Sequence, residues 1–93
     1  MSIIKINHAL SSAPVPQSVT MRQARLALLG AGMLDSVNAA IAAMPTPERN
    51  AAVIEWEYAQ TVDRNSPFTQ QLAAGLGLTA EQLDNLFTQA AGL

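Results

Sequence analysis

Thr20-Met21-Arg22-Gln23 and Thr79-Ala80-Glu81-Gln82 are both capping boxes. In such a box the threonine hydroxyl accepts from the backbone N–H three residues on, and the glutamine side chain reaches back to the threonine's own N–H. Each therefore marks the start of a helix. Between them, Gly30, Gly32, Pro45, Pro47, Ser66-Pro67 and Gly77 interrupt the chain at short intervals. Proline removes a donor and disfavours helical geometry in the residue before it, while glycine supplies the left-handed turn that ends helices. The punctuation confines the chain to short helices joined by short turns.

The apolar spacing fills those intervals. A first helix over about Met21–Leu29 places Met21, Ala24, Leu28 and the flanking Leu29 inward, with Arg22 and Gln23 outward. A second, about Leu34–Met44, carries Leu34, Val37, Ile41 and Met44 at helical spacing and a coat of alanines that permits close approach. Thr46 caps a third, with Pro47 at its first position and Glu48 at the positive end of the dipole. The periodicity extends that helix to about Arg64, with Ala52, Trp56 and Ala59 on one face and Val53 and Val62 extending the buried stripe. Phe68, Leu72 and Leu76 align the fourth helix, which Gly77 closes. Leu78 and Leu83 sit at staple spacing around the fifth, which runs on Leu83, Leu86, Phe87 and Ala90 to Gly92. The fold class is all-α: a compact bundle of about five short helices over residues 20–93. No segment beyond residue 6 alternates like a strand.

Residues 1–19 read as an extended N-terminal arm. Ile3, Ile4 and Ile6 favour a short strand, and Pro14-Val15-Pro16 hold the chain extended. A strand with no partner in a helical body either frays or adds to a neighbouring subunit. On the second reading, Ile3, Ile4, Ile6, Pro14, Val15 and Pro16 are candidate partner-binding residues.

Composition narrows the function. Only 13% of the 93 residues are charged, about half the usual share, while 17 alanines and 11 leucines set the helical character. A net charge of −2 gives no electrostatic grip on phosphates, so no nucleic-acid partner is expected. With no cysteine there is no disulfide, thiolate nucleophile or Cys-type metal site. The start of the chain lacks the apolar run of a secretory signal, and the longest apolar candidate, Leu26–Met44, is broken by Gly30, Gly32, Asp35, Ser36 and Asn38. Neither a membrane nor a cofactor or metal is expected.

Chemistry-bearing constellations are sparse. His8 has no Cys, Asp or Glu within ten residues. Glu55 and Glu57 stand two apart on a helix, about 200° around it, and so cannot act on one group. Trp56 between them either anchors the core or, with Tyr58, meets a partner, since such rings are enriched at interface centres. Arg22 and Arg25 lie three apart, and pairing with Asp63 or another carboxylate is expected of them. Gly75-Leu76-Gly77 lacks the remainder of a phosphate-binding loop. Leu72–Phe87 has the outline of a helix-turn-helix, but no lysine or arginine follows Arg64 to position it on phosphates. The pattern argues against an enzyme.

Thr20-Met21-Arg22-Gln23-Ala24-Arg25-Leu26-Ala27-Leu28-Leu29, Ala31-Gly32-Met33-Leu34-Asp35 and Ile54-Glu55-Trp56-Glu57-Tyr58-Ala59-Gln60-Thr61-Val62 carry a resemblance. With Leu76-Gly77-Leu78-Thr79 and Leu86-Phe87, they resemble a family of small tailed-bacteriophage proteins encoded among virion structural genes, near tail and tail-fibre genes. The similarity covers about residues 19–92 and leaves the arm unmatched. It implies a non-enzymatic structural component of the virion, in the tail, baseplate or tail-fibre attachment region. Its partners would be other phage structural proteins and further copies of itself. An assembly chaperone absent from the mature particle, or a small helix-turn-helix regulator, are the alternatives. No catalytic residues are implied.

Overall fold

The computed structural model describes residues 14–93. Their order is β1 (Ser18–Thr20), α1 (Met21–Gly30), α2 (Leu34–Ala42), α3 (Glu48–Tyr58), β2 (Thr61–Asp63), α4 (Pro67–Leu76) and α5 (Ala80–Ala91). The five expected helices are present, and a two-stranded sheet is added to them. The architecture is therefore largely helical rather than purely all-α.

Both capping boxes close as the sequence requires. Thr20 Oγ1 accepts from Gln23 N at 3.0 Å and Gln23 Oε1 accepts from Thr20 N at 2.9 Å. At α5 the equivalent bonds between Thr79 and Gln82 are 3.1 and 2.9 Å. Ser66 Oγ accepts from Thr69 N at 3.2 Å, with Pro67 opening α4 where its missing N–H costs nothing. Gly77 ends α4 at φ +71°, and Leu78 N donates back to Ala73 O at 2.9 Å. Only glycine takes that conformation without strain from a Cβ.

Three expectations at helix ends are corrected. α2 stops at Ala42, before Met44, because Pro45 takes its preceding residue out of helical geometry. α3 begins at Glu48, with Pro47 rather than Thr46 in the capping position and no side-chain cap. The largest correction is at the other end of α3, which stops at Tyr58 instead of about Arg64. Thr61, Val62 and Asp63 leave the helix to pair antiparallel with Thr20, Val19 and Ser18 respectively. Met21 N donates to Gln60 O and Arg64 N to Gln17 O, each at 2.9 Å, so the pairing is tied off at both ends. The two facing valines are buried. The pairing draws Ser18 and Val19, read as arm, into the body.

Two groups of buried side chains make the core. The first joins α1, α2, α3 and α4 through Leu28, Val37, Ala40, Ile41, Ala52, Trp56, Phe68 and Leu72. The second joins the sheet to α1, α4 and α5 through Val19, Val62, Ala27, Ala73, Leu83, Phe87 and Ala90. Adjacent residues of α1 (Ala27 and Leu28) and of α4 (Leu72 and Ala73) serve opposite groups, which ties the two together. An apolar cavity of about 50 Å³ lies at their junction, lined by residues of both, including Leu28, Trp56, Val62 and Phe87. The buried Thr69 is satisfied, since its hydroxyl donates to Asp63 O and accepts from Ser66 Oγ at 2.9 Å. α4 packs on α2 and α5 on α1, with α2 and α4 so close that a Cβ on Gly75 would lie 3.1 Å from that of Ala40. Leu29 and Val53, read as inward, are instead 60% and 43% exposed. Each lies just beyond the buried arc of its helix.

Candidate interaction surface

α3 is anchored by few residues. At about 100° per residue, Ala52, Trp56 and the following Ala59 fall on one side. Ala52 and Trp56 are the helix's only buried residues. Trp56 is 5% exposed and belongs to the first core group. The guanidinium of Arg25 covers its ring at 3.9 Å from the centroid and donates to its backbone carbonyl. A cation over an indole face is attracted by the ring quadrupole. Of the two roles open to Trp56, the structure shows the core role. Arg25 is thus engaged by a ring rather than by the expected carboxylate. Among the described residues the ion pair is Arg64 Nε to Asp84 Oδ1 at 2.7 Å, which links the end of β2 to α5.

The opposite side of α3 is also apolar. Ala51, Ile54 and Tyr58 follow one another at spacings of three and four, so they share a stripe. Ile54 is 57% exposed and Tyr58 79%. Ile54 points about 200° away from Trp56, directly out of the core. Glu57 borders the stripe on one side and Glu55 on the other, because residues two apart diverge around a helix. Beyond these borders lie two grooves. One, of about 240 Å³, runs between α2 and α3 along Ile41, Arg49, Val53 and Glu57. The other, of about 290 Å³, runs between α3 and α4 along Ala51, Glu55, Pro67 and Phe68. The helix is a ridge with open ground to either side.

The remaining candidate residues divide by position. Pro14 is exposed, while Val15 and Pro16 are half-buried, Val15 against the second core group. Trp56 sits in the first group, so the structure does not bring these two sets together. Ile3, Ile4 and Ile6, and with them His8, lie outside the described residues. Tyr58 is where a contact residue must be, at the surface. Ala51 and Ile54 were missed by reasoning that sought only the buried face. The signal was present in the spacing of Ala51, Ile54 and Tyr58, which is helical but out of phase with Ala52, Trp56 and Ala59.

Among the described residues no three of His, Cys, Asp and Glu are grouped to hold a metal ion. Among the described residues no single helix is long and apolar enough to cross a membrane. On α5, the helix that would enter a DNA groove, Glu81 and Asn85 are exposed and Asp84 is paired with Arg64. α4 and α5 are joined by Gly77, Leu78 and Thr79 but pack on different helices, so they are not a plain face-to-face hairpin. Comparison of the chain with models of known families, with curated proteins and with solved structures gives no match. The reading of function rests on the site.

Proposed function

We propose that this chain is a non-enzymatic structural component of a tailed-bacteriophage virion, in the tail, baseplate or tail-fibre attachment region, working through protein–protein contacts. One observation carries the reading: α3 turns Ile54 and Tyr58 to solvent on the side opposite its anchor. The same two residues lie within the Ile54–Val62 segment that carries the family resemblance. Large apolar side chains clustered on an exposed helix face mark an interaction site more often than they serve the monomer. The protein would be made in the host cytoplasm and end in the particle.

Purified particles provide the test. Stoichiometric recovery of the chain by mass spectrometry, lost with Ile54→Glu at equal expression, is the expected result. A chaperone would use the same exposed stripe on a fibre or tail protein and then leave. Absence from particles, together with binding to an unassembled tail protein, would favour that reading. The helix-turn-helix alternative draws on the short turn between α4 and α5. A gel shift at low salt with no retardation at micromolar protein would dispose of it.

A further inference from the structure

We propose that two copies of this chain pair through α3, the helices antiparallel about a two-fold axis beside Val53, with Arg49 of each against Glu57 of the other. This rests on the reading of α3 as a contact surface and names its occupant, the same helix of a second copy.

The first argument is that the charges of α3 are misplaced for a helix standing alone. A helix favours acids in its first turn and bases in its last. α3 carries Arg49 in its first turn, and Glu55 and Glu57 in its last with no base there. Nothing along the helix compensates. The residues three and four on from Arg49 are Ala52 and Val53, and those three and four back from Glu57 are Ile54 and Val53. Among the described residues neither Arg49 nor Glu57 has an ion-pair partner. Residues 1–13 hold no acid.

The second argument is symmetry, and it selects a second copy. Arg49 and Glu57 stand four residues to either side of Val53, on one row of the helix surface. A half-turn about an axis at Val53 lays Arg49 on Glu57 and Glu57 on Arg49, so the pair forms twice while Val53 meets Val53. Parallel helices would set Arg49 on Arg49 and Glu57 on Glu57. A patch that complements itself under a two-fold is what an isologous dimer requires. Opposite charges at its two ends fix the register.

The third argument is shape. Arg49, Val53 and Glu57 lie along the groove of about 240 Å³ between α2 and α3, which Asn38, Ile41 and Ala42 complete. Ile54 and Tyr58 stand exposed beside it. Each copy thus offers a ridge and a groove side by side, and the two-fold sets the ridge of one on the groove of the other. A contact centred on 11 residues of helix, roughly 16 Å long, is small. Free copies therefore associate weakly, and more strongly where other contacts in an assembly already hold them together.

Sedimentation of the full chain up to millimolar concentration tests the proposal. Reversible dimerisation is expected. Arg49→Glu and Glu57→Arg each bring like charges together twice, and each should weaken dimerisation at least about tenfold, roughly 1.4 kcal/mol. Both residues are exposed, and both changes suit the helix dipole. Melts at dilution should therefore show each variant at least as stable as the parent. The decisive variant carries both changes. It restores two opposite pairs at the parent's net charge of −2, and should dimerise as the parent does. A parent chain monomeric at every concentration overturns the proposal, as do single reversals without effect. So does a double variant that dimerises no better than the single ones. If any of these holds yet Ile54→Glu still blocks entry into particles, this inference fails while the contact-surface reading stands, with another protein as the occupant. If Ile54→Glu enters particles normally, that reading fails instead.

Discussion

α3 and α5 are of similar length, 11 and 12 residues, yet they are attached to the molecule in opposite ways. α5 buries Leu83, Phe87 and Ala90 on one face and shows Glu81, Gln82, Asn85 and Gln89 on the other. Its capping box and the Arg64–Asp84 pair secure it further. α3 buries Ala52 and Trp56, lacks a side-chain cap, and carries apolar residues on its outer face as well. The monomer accounts for every large apolar side chain of α5, Leu83, Leu86 and Phe87, down to its polar solvent side. It does not account for Ile54 and Tyr58. Ile54 and Tyr58 form a second apolar stripe on α3, opposite its anchor.

The comparison is tested most severely by cutting each helix loose at its ring. Trp56→Ala and Phe87→Ala each remove a buried aromatic and should cost about 3–5 kcal/mol. In a domain this small, each kcal/mol lowers the melting temperature by about 4–8 °C, so calorimetry will register either loss. Trp56→Ala also removes the surface on which Arg25 rests. Because Trp56 is half of the buried anchor of α3, its loss should release that helix selectively, seen as early amide exchange over residues 48–58. Phe87→Ala should instead melt the whole domain together, since α5 closes on the sheet and α1. Equal exchange patterns in the two variants would erase the distinction drawn between the helices.

The caps come next. Thr79→Ala removes a hydroxyl that accepts from Gln82 N and frees the reciprocal bond, at about 1 kcal/mol. α3 has no such bond to lose, so Thr46→Ala should leave the melting temperature unchanged. A matching loss at Thr46 would mean that α3 is capped in solution after all.

These caps show how much of the fold was legible. Each depends on residues within five positions of each other, so Thr20, Ser66, Gly77 and Thr79 announced their helix ends in the sequence. The sheet was illegible for the opposite reason. Val62 lies three residues after Ala59, so it extends the buried stripe of a continued helix. What removes it is Val19, 43 positions away in the chain, together with the bonds from Met21 to Gln60 and from Arg64 to Gln17. No local pattern encodes a partner at that distance. The exposed stripe of α3 was half legible. Tyr58 was named beside Trp56, but helical spacing alone does not tell which of two apolar stripes faces inward. Ala52 and Trp56 faced the core because Leu28, Ile41 and Phe68 stood there to receive them.

Arg64 and Asp84 offer a smaller effect. The bond is short, but the Asp84 side chain is 39% exposed and the pair is open to solvent at that end. Asp84→Asn should cost up to about 1 kcal/mol, with the difference from the parent shrinking as salt is added. Titrating sodium chloride during thermal melts of both chains measures this. A loss that ignores salt would show that the carboxylate acts through packing or its hydrogen bond rather than its charge.

The smallest expected effect on folding is the one that matters most to the comparison. Ile54→Ser and Tyr58→Ser take large apolar groups off α3, yet at dilution each should change the stability of the chain by no more than about 0.5 kcal/mol. The reasoning is that a side chain already in water gives up little burial when it is truncated. Leu83→Ala on α5 is chemically comparable to Ile54→Ser in the volume lost, but Leu83 is buried and its truncation should cost about 2–5 kcal/mol. Denaturant melts of Ile54→Ser and Leu83→Ala at a concentration where the chain is monomeric put the two helices side by side. Should Ile54→Ser cost as much as Leu83→Ala, Ile54 must be covered within the monomer, and the outer face of α3 would be core. If it costs nothing at dilution but does so at high concentration, the burial that Ile54 lacks in one chain is supplied by another.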